Sequence, residues 1–373
     1  MPNPIGLYIH IPFCISKCPY CDFYSLTDIN PDILNSYTHT VVESIEQWHK
    51  KLEGVTADTL YLGGGTPSLL GGERISRIIR AAGCFIIENA EITMEANPAD
   101  GLDDVFAAFS AVGGNRISIG MQTANDNQLE FLGRRHRHQD VVKAVEAAKS
   151  AGINNISLDV MLGLKGQTVS SVTSTLCEAH NLGATHISAY MLKVEEGTPF
   201  YKNQDELCLP DDDTVAELYL SACQTLESFG FEQYEMSNFA LPGFQSRHNL
   251  KYWNADPYLG IGPAAHSFID GRRFYYTRDQ DGFIKGSPPV DEQSSDTYPN
   301  AGETEYLMLR LRLNRGIKYK EFEERFGHAV PKGVTVRAAS LPNKLAVVDS
   351  DGIHLTPDGF LVSNTLITRI LNG

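Results

Sequence analysis

A regular alternation of strand-like and helix-like segments over residues 7 to 230 constrains this fold more than any other feature. Strand-like runs rich in β-branched and apolar residues are followed by helical patterns, several of which end at glycine. Such alternation predicts a parallel sheet with crossover helices. About six strand–helix units are present, short of the eight of a closed barrel, so we predict an α/β fold with a partial (β/α)6 barrel. The predicted strands are 7–12, 58–64, 91–98, 115–122, 154–163 and 185–192, and the predicted helices are 72–83, 102–113, 138–152, 168–182 and 210–230.

The composition changes after Trp253, which indicates further structural units beyond the barrel. Residues 279–302 are polar and rich in Pro, Ser and Gly, as in a linker or a covering loop. The tail then shows two helical patterns, a strand pair and a final helix, which is close to a winged-helix pattern. We therefore predict a barrel domain with an extension over 1–280, a linker or covering loop over 281–302, and a small C-terminal α+β domain over 303–373.

Three cysteines, Cys14, Cys18 and Cys21, lie within eight residues in the run CISKCPYC, directly after the first predicted strand. A structural zinc site needs four closed ligands, and a cubane cluster is normally held by four thiolates. Three thiols in one tight loop, with no fourth nearby, suggest a [4Fe–4S] cluster with one iron open to a small molecule. A zinc site and three free core cysteines remain as alternatives.

Charge and hydropathy exclude several classes of partner. The net charge of −15 argues against nucleic acid, and the single basic cluster, residues 134–138, is too short to reverse it. The N-terminus lacks a signal-peptide pattern, and no apolar run is long enough for a transmembrane segment. The four other cysteines are scattered singly, so we expect small buried hydrophobes in a reducing, cytoplasmic location. They are Cys84, Cys177, Cys208 and Cys223.

Polar residues gather at the ends of the predicted strands, where barrel enzymes build their sites. The run GGGTPS follows the second strand; its glycines allow a close approach of the backbone to a ligand, and Thr66 adds a hydroxyl. Any one polar residue late in an apolar strand can be a satisfied core group. Several on successive units predict a ligand site at the barrel mouth. These residues are Glu95, Gln122, Arg134 and Asp159.

The run RHNLKYW, residues 247–253, contains a candidate haem ligand. His248 and Tyr252 are four residues apart and share a face if this run is helical. Histidine is the usual proximal ligand of haem iron, and aromatic rings supply an apolar wall for a porphyrin. An ordinary packed histidine is the alternative, and His266 beside the next glycine-rich turn is the second candidate.

Together these strings resemble the oxygen-independent coproporphyrinogen III oxidase-like family of the radical S-adenosylmethionine (SAM) superfamily. The resemblance is closest to its haem chaperone branch and runs from Leu7 to about Phe268; the tail from Glu303 to Leu371 resembles the C-terminal domain of the family. It rests on YIHIPFCISKCPYCDF, LGGGTPSLL, EITMEANP, NRISIGMQ, LGRRH, SLDVMLGL, YEMSNFA, RHNLKYW and GIGPAAHS. One departure is Lys165, where the family usually has proline.

The resemblance implies the cofactors and the residues that hold them. The three cysteines would bind a [4Fe–4S] cluster, whose open iron chelates the amino and carboxylate groups of SAM. The contacts to this SAM would come from Tyr8, Gly64 and Glu95. A second SAM site, as in the oxidase, would be lined by Tyr20, Gly65, Thr66, Gln122, Arg134 and Asp159.

Two positions separate the branches of this family. The oxidases carry one more cysteine two residues after the third ligand, where this sequence has Phe23. The chaperone branch carries a His-Asn-x-x-Tyr-Trp string linked to haem binding, present here from His248 to Trp253. We therefore expect a haem chaperone that delivers haem to an acceptor protein and takes electrons from a donor such as flavodoxin or ferredoxin. The alternative is the oxidase itself, which decarboxylates a porphyrinogen.

The predicted domain boundary can be tested by limited proteolysis. Linkers between structural units are exposed and mobile, so the first cuts should fall within 279–302, as mapped by mass spectrometry of the fragments. First cuts elsewhere would contradict the boundary.

Overall fold

A computed structural model of the chain describes residues 4–98, 101–291 and 301–372. The strands within these ranges are β1 (Ile5–Ile11), β2 (Ala57–Gly64), β3 (Ile86–Ala96), β4 (Arg116–Gln122), β5 (Asn155–Leu162), β6 (His186–Met191), β7 (Glu232–Gln233), β8 (Asn238–Ala240), β9 (Tyr258–Ile261), β10 (His266–Ile269), β11 (Arg272–Tyr275), β12 (Val290–Asp291), β13 (Ile317–Lys318), β14 (Ala346–Val348) and β15 (Gly352–Leu355). The helices are α1 (Pro31–Lys51), α2 (Gly71–Ala82), α3 (Leu102–Ala111), α4 (Asp126–Phe131), α5 (His138–Ser150), α6 (Val169–Asn181), α7 (Pro199–Lys202), α8 (Asp212–Ser228), α9 (Arg247–Trp253), α10 (Gln280–Ile284), α11 (Ala301–Arg310), α12 (Tyr319–Phe326), α13 (Lys332–Ala339), α14 (Pro357–Leu361) and α15 (Ser363–Asn372).

Strands β1 to β6 are neighbours in chain order, and each pairs in parallel with the next. A helix lies between each pair of consecutive strands, as parallel connections require. The predicted partial (β/α)6 architecture is confirmed, and all six predicted strands are present. Because parallel strands run in the same direction, their carboxyl ends share one edge, and this edge holds the candidate site.

Local sequence explains where the helices begin. The Asn30 side chain accepts hydrogen bonds from the backbone N–H groups of Asp32 and Ile33, and Pro31 occupies the first position of α1. At α6 the Thr168 side chain accepts the N–H of Ser171 in a capping box. The sequence analysis missed α1, whose buried face packs against the same core as the strands.

The sheet continues beyond the barrel at both edges. Strand β9 pairs in parallel with β1, and β10, β11 and β12 follow it in antiparallel pairing. Strands β8 and β7 close the other edge beside β6. The run 247–253 is indeed helical and forms α9, which is capped by the Ser246 side chain at the N–H of Asn249.

The C-terminal region forms a three-stranded sheet in the order β13-β15-β14, with α11 to α15 around it. Its buried residues are continuous with the barrel core, and the Met236 N–H donates to the Arg312 carbonyl at 3.2 Å across the junction. The predicted linker carries the end of α10 and the short edge strand β12, while residues 292–300 lie outside the described part of the chain. The domain boundaries therefore stay a prediction.

One expectation about the remaining cysteines is wrong. Cys84 and Cys208 are exposed rather than buried, whereas Cys177 and Cys223 are half-buried. Both exposed thiols lie outside regular elements, since Cys84 follows α2 and Cys208 precedes α8. Among the helices of the described ranges, none is both long and apolar enough to cross a membrane.

Candidate functional site

The carboxyl ends of the parallel strands surround a cavity of about 370 Å³. Ten of the thirteen predicted site residues line it, although they come from six separate segments of the chain. They are Cys14, Cys18, Tyr20, Cys21, Gly64, Gly65, Glu95, Gln122, Arg134 and Asp159. Thr66 lies beside this cavity and lines a neighbouring one, while Tyr8 and His248 are not part of the lining of either cavity.

The cysteine loop begins where β1 ends and is held by its own backbone. The Cys14 N–H donates to the Leu26 carbonyl at 2.9 Å, and the Cys21 N–H donates to the Cys18 carbonyl at 3.1 Å. All three thiols are free and partly accessible. Burial raises the pKa of the Cys14 and Cys21 thiols, and both would have to lose a proton to bind a metal.

These three thiols line one cavity without converging on a single point. Among the described residues, no three His, Cys, Asp or Glu side chains stand close enough to bind one metal ion. In a cubane cluster each thiolate binds a different iron atom, so the ligands surround the cluster rather than one ion. A cluster bound by these three thiols would therefore lie between them, with one iron left for another ligand.

The glycine-rich turn after β2 packs tightly against the chain itself. The Gly65 N–H donates to the Ile11 carbonyl at 2.8 Å, and a Cβ atom on Gly65 would lie 2.6 Å from the Phe13 carbonyl oxygen. Gly64 has φ of 113°, and a Cβ there would lie 2.5 Å from the His10 ring. Glycine is therefore required at both positions by the fold alone, before any ligand is considered.

Glu95, at the end of β3, has a carboxyl group whose pKa is shifted in opposite directions by burial and by hydrogen bonds. Its Oε1 accepts the Tyr61 hydroxyl at 2.8 Å, and its Oε2 accepts the Gly64 N–H at 3.0 Å. Burial raises the pKa of this carboxyl to about 7, while these two hydrogen bonds act in the opposite direction. Glu95 can therefore change charge near neutral pH, as ligand-binding carboxylates in clefts often do.

The next two strands add Gln122 and Asp159. Gln122 has φ of 63°, a left-handed conformation that non-glycine residues rarely adopt outside special sites. Asp159 Oδ1 accepts the Ser118 hydroxyl at 3.1 Å. Burial raises the pKa of the Asp159 carboxyl, and its hydrogen bonds to serine hydroxyls oppose that shift.

Two predicted residues lie in the barrel interior, away from the cavity. The Tyr8 hydroxyl contacts His10 Nδ1 at 3.0 Å. His248 is 1% exposed, and its ring nitrogens are 2.8 Å from the hydroxyls of Thr59 and Tyr252. Since Thr59 lies early in β2, His248 lies toward the amino end of the barrel, opposite the cysteines. Burial lowers its pKa to about 3, so the ring is neutral.

Several cavity residues were missed by the sequence analysis. Strand alternation could have found some of them, because Asn97 shares a face with Glu95, and Ser118 shares one with Gln122. Asn97, Ser118, Met161 and Tyr190 all line the cavity. Tyr190 comes from the end of β6, which the sequence analysis left without a site residue.

Three clustered thiols at the mouth of a six-stranded parallel barrel define a radical SAM protein. A family model of the radical SAM superfamily matches residues 8–176, and one of the HemN C-terminal domain matches residues 304–362. The superfamily implies a [4Fe–4S] cluster and SAM as cofactors.

Similarity to curated proteins extends over the whole chain. The haem chaperone HemW of Lactococcus lactis is 33% identical, covering 100% of this chain and 98% of that protein. HemW of Bacillus subtilis is 33% identical over 98% of both chains, and HemW of Escherichia coli is 36% identical over 86% of this chain and 85% of its own. The chain belongs to the haem chaperone HemW family.

Among solved structures, the coproporphyrinogen III oxidase HemN of Escherichia coli, a radical SAM enzyme, is similar with a TM-score of 0.83. The identity is 20%, and the match covers 100% of this chain and 91% of that one. At this identity the likeness shows the shared fold.

The cluster ligands can be tested by substitution. Replacing Cys14, Cys18 or Cys21 with Ala should abolish the brown absorbance of anaerobically reconstituted protein, because each thiolate binds a separate iron. Cys84→Ala is the matched control, since Cys84 is exposed and does not line the cavity, and it should retain about one cluster per chain. Stoichiometric zinc without iron uptake in the parent protein would contradict the assignment.

Proposed function

We propose that this chain is a haem chaperone that binds a [4Fe–4S] cluster, SAM and haem, and transfers haem to an acceptor protein. The observation that carries the proposal is the cavity that brings together three free thiols, the glycine turn and an ionisable Glu95 in a chain similar along its length to HemW proteins. The acceptor and an electron donor such as flavodoxin or ferredoxin belong to the same proposal.

In this proposal Cys14, Cys18 and Cys21 hold the cluster. When reduced, a cluster of this type supplies the electron that cleaves SAM. Gly64 and Glu95 would hold the methionine end of SAM: the Glu95 carboxylate would accept a hydrogen bond from the ammonium group, and the glycine turn would let the backbone approach the ligand. Tyr8 would support this site from the interior, through its contact with His10, whose ring packs against Gly64.

The second group of residues would line a further SAM site. Tyr20, Gly65, Gln122, Arg134 and Asp159 share the cavity, and Thr66 adjoins it. The Arg134 guanidinium donates from Nη2 to the Tyr20 hydroxyl and from Nη1 to Asn97 Oδ1, while its buried Nε has no partner among the described residues. This guanidinium could therefore still donate a hydrogen bond to a ligand in the second site.

Coproporphyrinogen oxidation is the less favoured function. The position of the additional oxidase cysteine holds Phe23, which lines the cavity and is 68% exposed. A phenyl ring cannot ligate iron or transfer a proton.

Haem binding through His248 requires a rearrangement of its surroundings. Both ring nitrogens face hydroxyl groups, and the ring stacks on Tyr61 with centroids 5.1 Å apart. Before Nε2 can ligate an iron atom, its contact with Tyr252 must break and α9 must move away from the barrel. His266 is the accessible alternative, since it is exposed on β10 and stacks on Tyr275.

The charge of Glu95 gives a pH test of SAM binding. Because the Glu95 pKa is about 7, the carboxyl gains a proton as the pH falls through that value, and the affinity for SAM should fall with it. Glu95→Gln should bind SAM more weakly and without this pH dependence. Tyr61→Phe removes a hydrogen bond that lowers the pKa, so the midpoint should move to higher pH.

Calorimetry of reconstituted protein between pH 6 and 9 would measure these affinities. An unchanged pH profile in Glu95→Gln would mean that Glu95 does not contact the ammonium group. Gly64→Val is a poorer probe, because its side chain would collide with His10 and disturb the fold.

A matched pair of variants tests His248 as the haem ligand. His248→Ala should weaken haem binding and shift the Soret band, but it also leaves the buried Thr59 hydroxyl without its partner, at about 1–3 kcal/mol, and removes the partner of the half-buried Tyr252 hydroxyl. Tyr252→Phe removes only the contact to Nε2, so it should cost about 1 kcal/mol of stability and leave haem binding intact or stronger.

Unfolding midpoints separate the loss of the ligand from the loss of stability. If His248→Ala binds haem as the parent does, His248 is not the ligand, and His266→Ala becomes the decisive variant. Coproporphyrinogen III, SAM and reductant should be assayed in parallel. Formation of protoporphyrinogen IX by the parent would overturn the chaperone proposal.

A further inference from the structure

A continuous chain of hydrogen bonds runs from Arg134 to the sulfur atom of Cys14. Arg134 Nη1 donates to Asn97 Oδ1 at 2.9 Å, and Asn97 Nδ2 donates to Thr66 Oγ1 at 2.8 Å. Thr66 Oγ1 in turn donates to Cys14 Sγ at 3.8 Å. The four side chains come from separate segments of the chain, so only the folded barrel brings them together.

The donor-to-acceptor direction of these hydrogen bonds is fixed by the groups at the two ends, Arg134 and Cys14. A guanidinium has only donors, so the Asn97 oxygen must face Arg134 and its NH2 group must face Thr66. A metal-bound thiolate only accepts, so the Thr66 hydroxyl must point at Cys14. Every dipole is therefore aligned from the positive charge toward the sulfur, the arrangement in which successive hydrogen bonds strengthen one another.

The hydrogen-bonded side chains also separate two cavities. Asn97 and Arg134 line both the cysteine-lined cavity and a neighbouring cavity of about 390 Å³, and Thr66 lines the neighbouring one. Thr66 is 6% exposed, so water competes little for its hydroxyl. Hydrogen bonds to cluster sulfurs are among the factors that set a cluster's reduction potential.

We propose that Asn97 and Thr66 are positioning residues that transmit the positive charge of Arg134 to the Cys14 sulfur and so raise the reduction potential of the bound cluster. An added electron makes the cluster and its thiolates more negative, so a donor at Cys14 stabilises the reduced form. The inference rests on the proposed function only in requiring a cluster at the three cysteines; haem does not enter.

The test is a redox titration of anaerobically reconstituted protein, followed by electron paramagnetic resonance. Thr66→Val, which keeps the shape but removes the donor, should make the midpoint potential more negative. Thr66→Ser restores the hydroxyl and should return the potential to the parental value. Ser68→Ala, a buried change in the neighbouring cavity outside the chain of hydrogen bonds, should leave it unchanged.

A double-mutant cycle distinguishes transmission through the chain from direct electrostatics. Arg134→Met should lower the potential in the parent and lower it less in the Thr66→Val background, because the connection is already broken. Equal shifts in both backgrounds would mean that Arg134 acts through space, and the proposal would fail.

Two further results would overturn the proposal. One is a parental potential in Thr66→Val at full cluster content, and the other is a shift in Ser68→Ala as large as in Thr66→Val. If Thr66→Val does not take up a cluster, Asn97→Leu leaves the hydroxyl beside Cys14 and must still lower the potential. Failure of haem binding alone would not affect these measurements, so the two proposals fail separately.

Discussion

Burial of charge at the carboxyl ends of six parallel strands is the constraint on which the rest of this site depends. Glu95 and Asp159 are removed from water there, and burial raises the pKa of both carboxyls. Arg116 lies deeper in the barrel, 2% exposed, and its Nε has no hydrogen-bond partner among the described residues. Its guanidinium lowers the pKa of both carboxyls, so one buried cation partly offsets the effect of burial on the two groups proposed to bind ligands.

The candidate cluster and SAM residues and the candidate haem ligand lie at opposite ends of the barrel. Thiols, carboxylates and the glycine turn gather at the mouth, whereas the HNxxYW helix α9 closes the barrel toward its amino end. There the Glu91 carboxylate accepts the backbone N–H groups of Arg247 and His248 at 3.0 Å each, which ties α9 to β3. A chaperone that uses His248 must therefore couple haem binding to an opening of α9, so haem loading and barrel stability would be linked.

The sequence was sufficient for much of the fold and named ten of the residues that line the cavity. Apolar runs bounded by glycine located β1 to β6 within a few residues, because strands buried on both faces leave an unmistakable pattern. Parallel topology then brought Glu95, Gln122 and Asp159 to one edge, as expected. Helix α1 was missed because its polar exposed face masks the buried one.

Contacts between distant segments could not be predicted from sequence. The close packing of Gly65 on Phe13 depends on how the glycine turn sits against the cysteine loop, which no local pattern encodes. The enclosure of His248 by Thr59 and Tyr252 likewise appears only when β2 and α9 are assembled. The spacing of residues in the sequence identified candidate site residues. Tertiary packing decides which of their atoms are already hydrogen-bonded and which are free to bind a ligand.

Electron paramagnetic resonance of the reduced, anaerobically reconstituted protein, recorded before and after addition of SAM, is the most direct test of the central claim. The account predicts the signal of a reduced [4Fe–4S] cluster that changes when SAM binds, because three cysteine ligands would leave one iron open to SAM. A protein that takes up no iron, or a cluster signal indifferent to SAM, would contradict it.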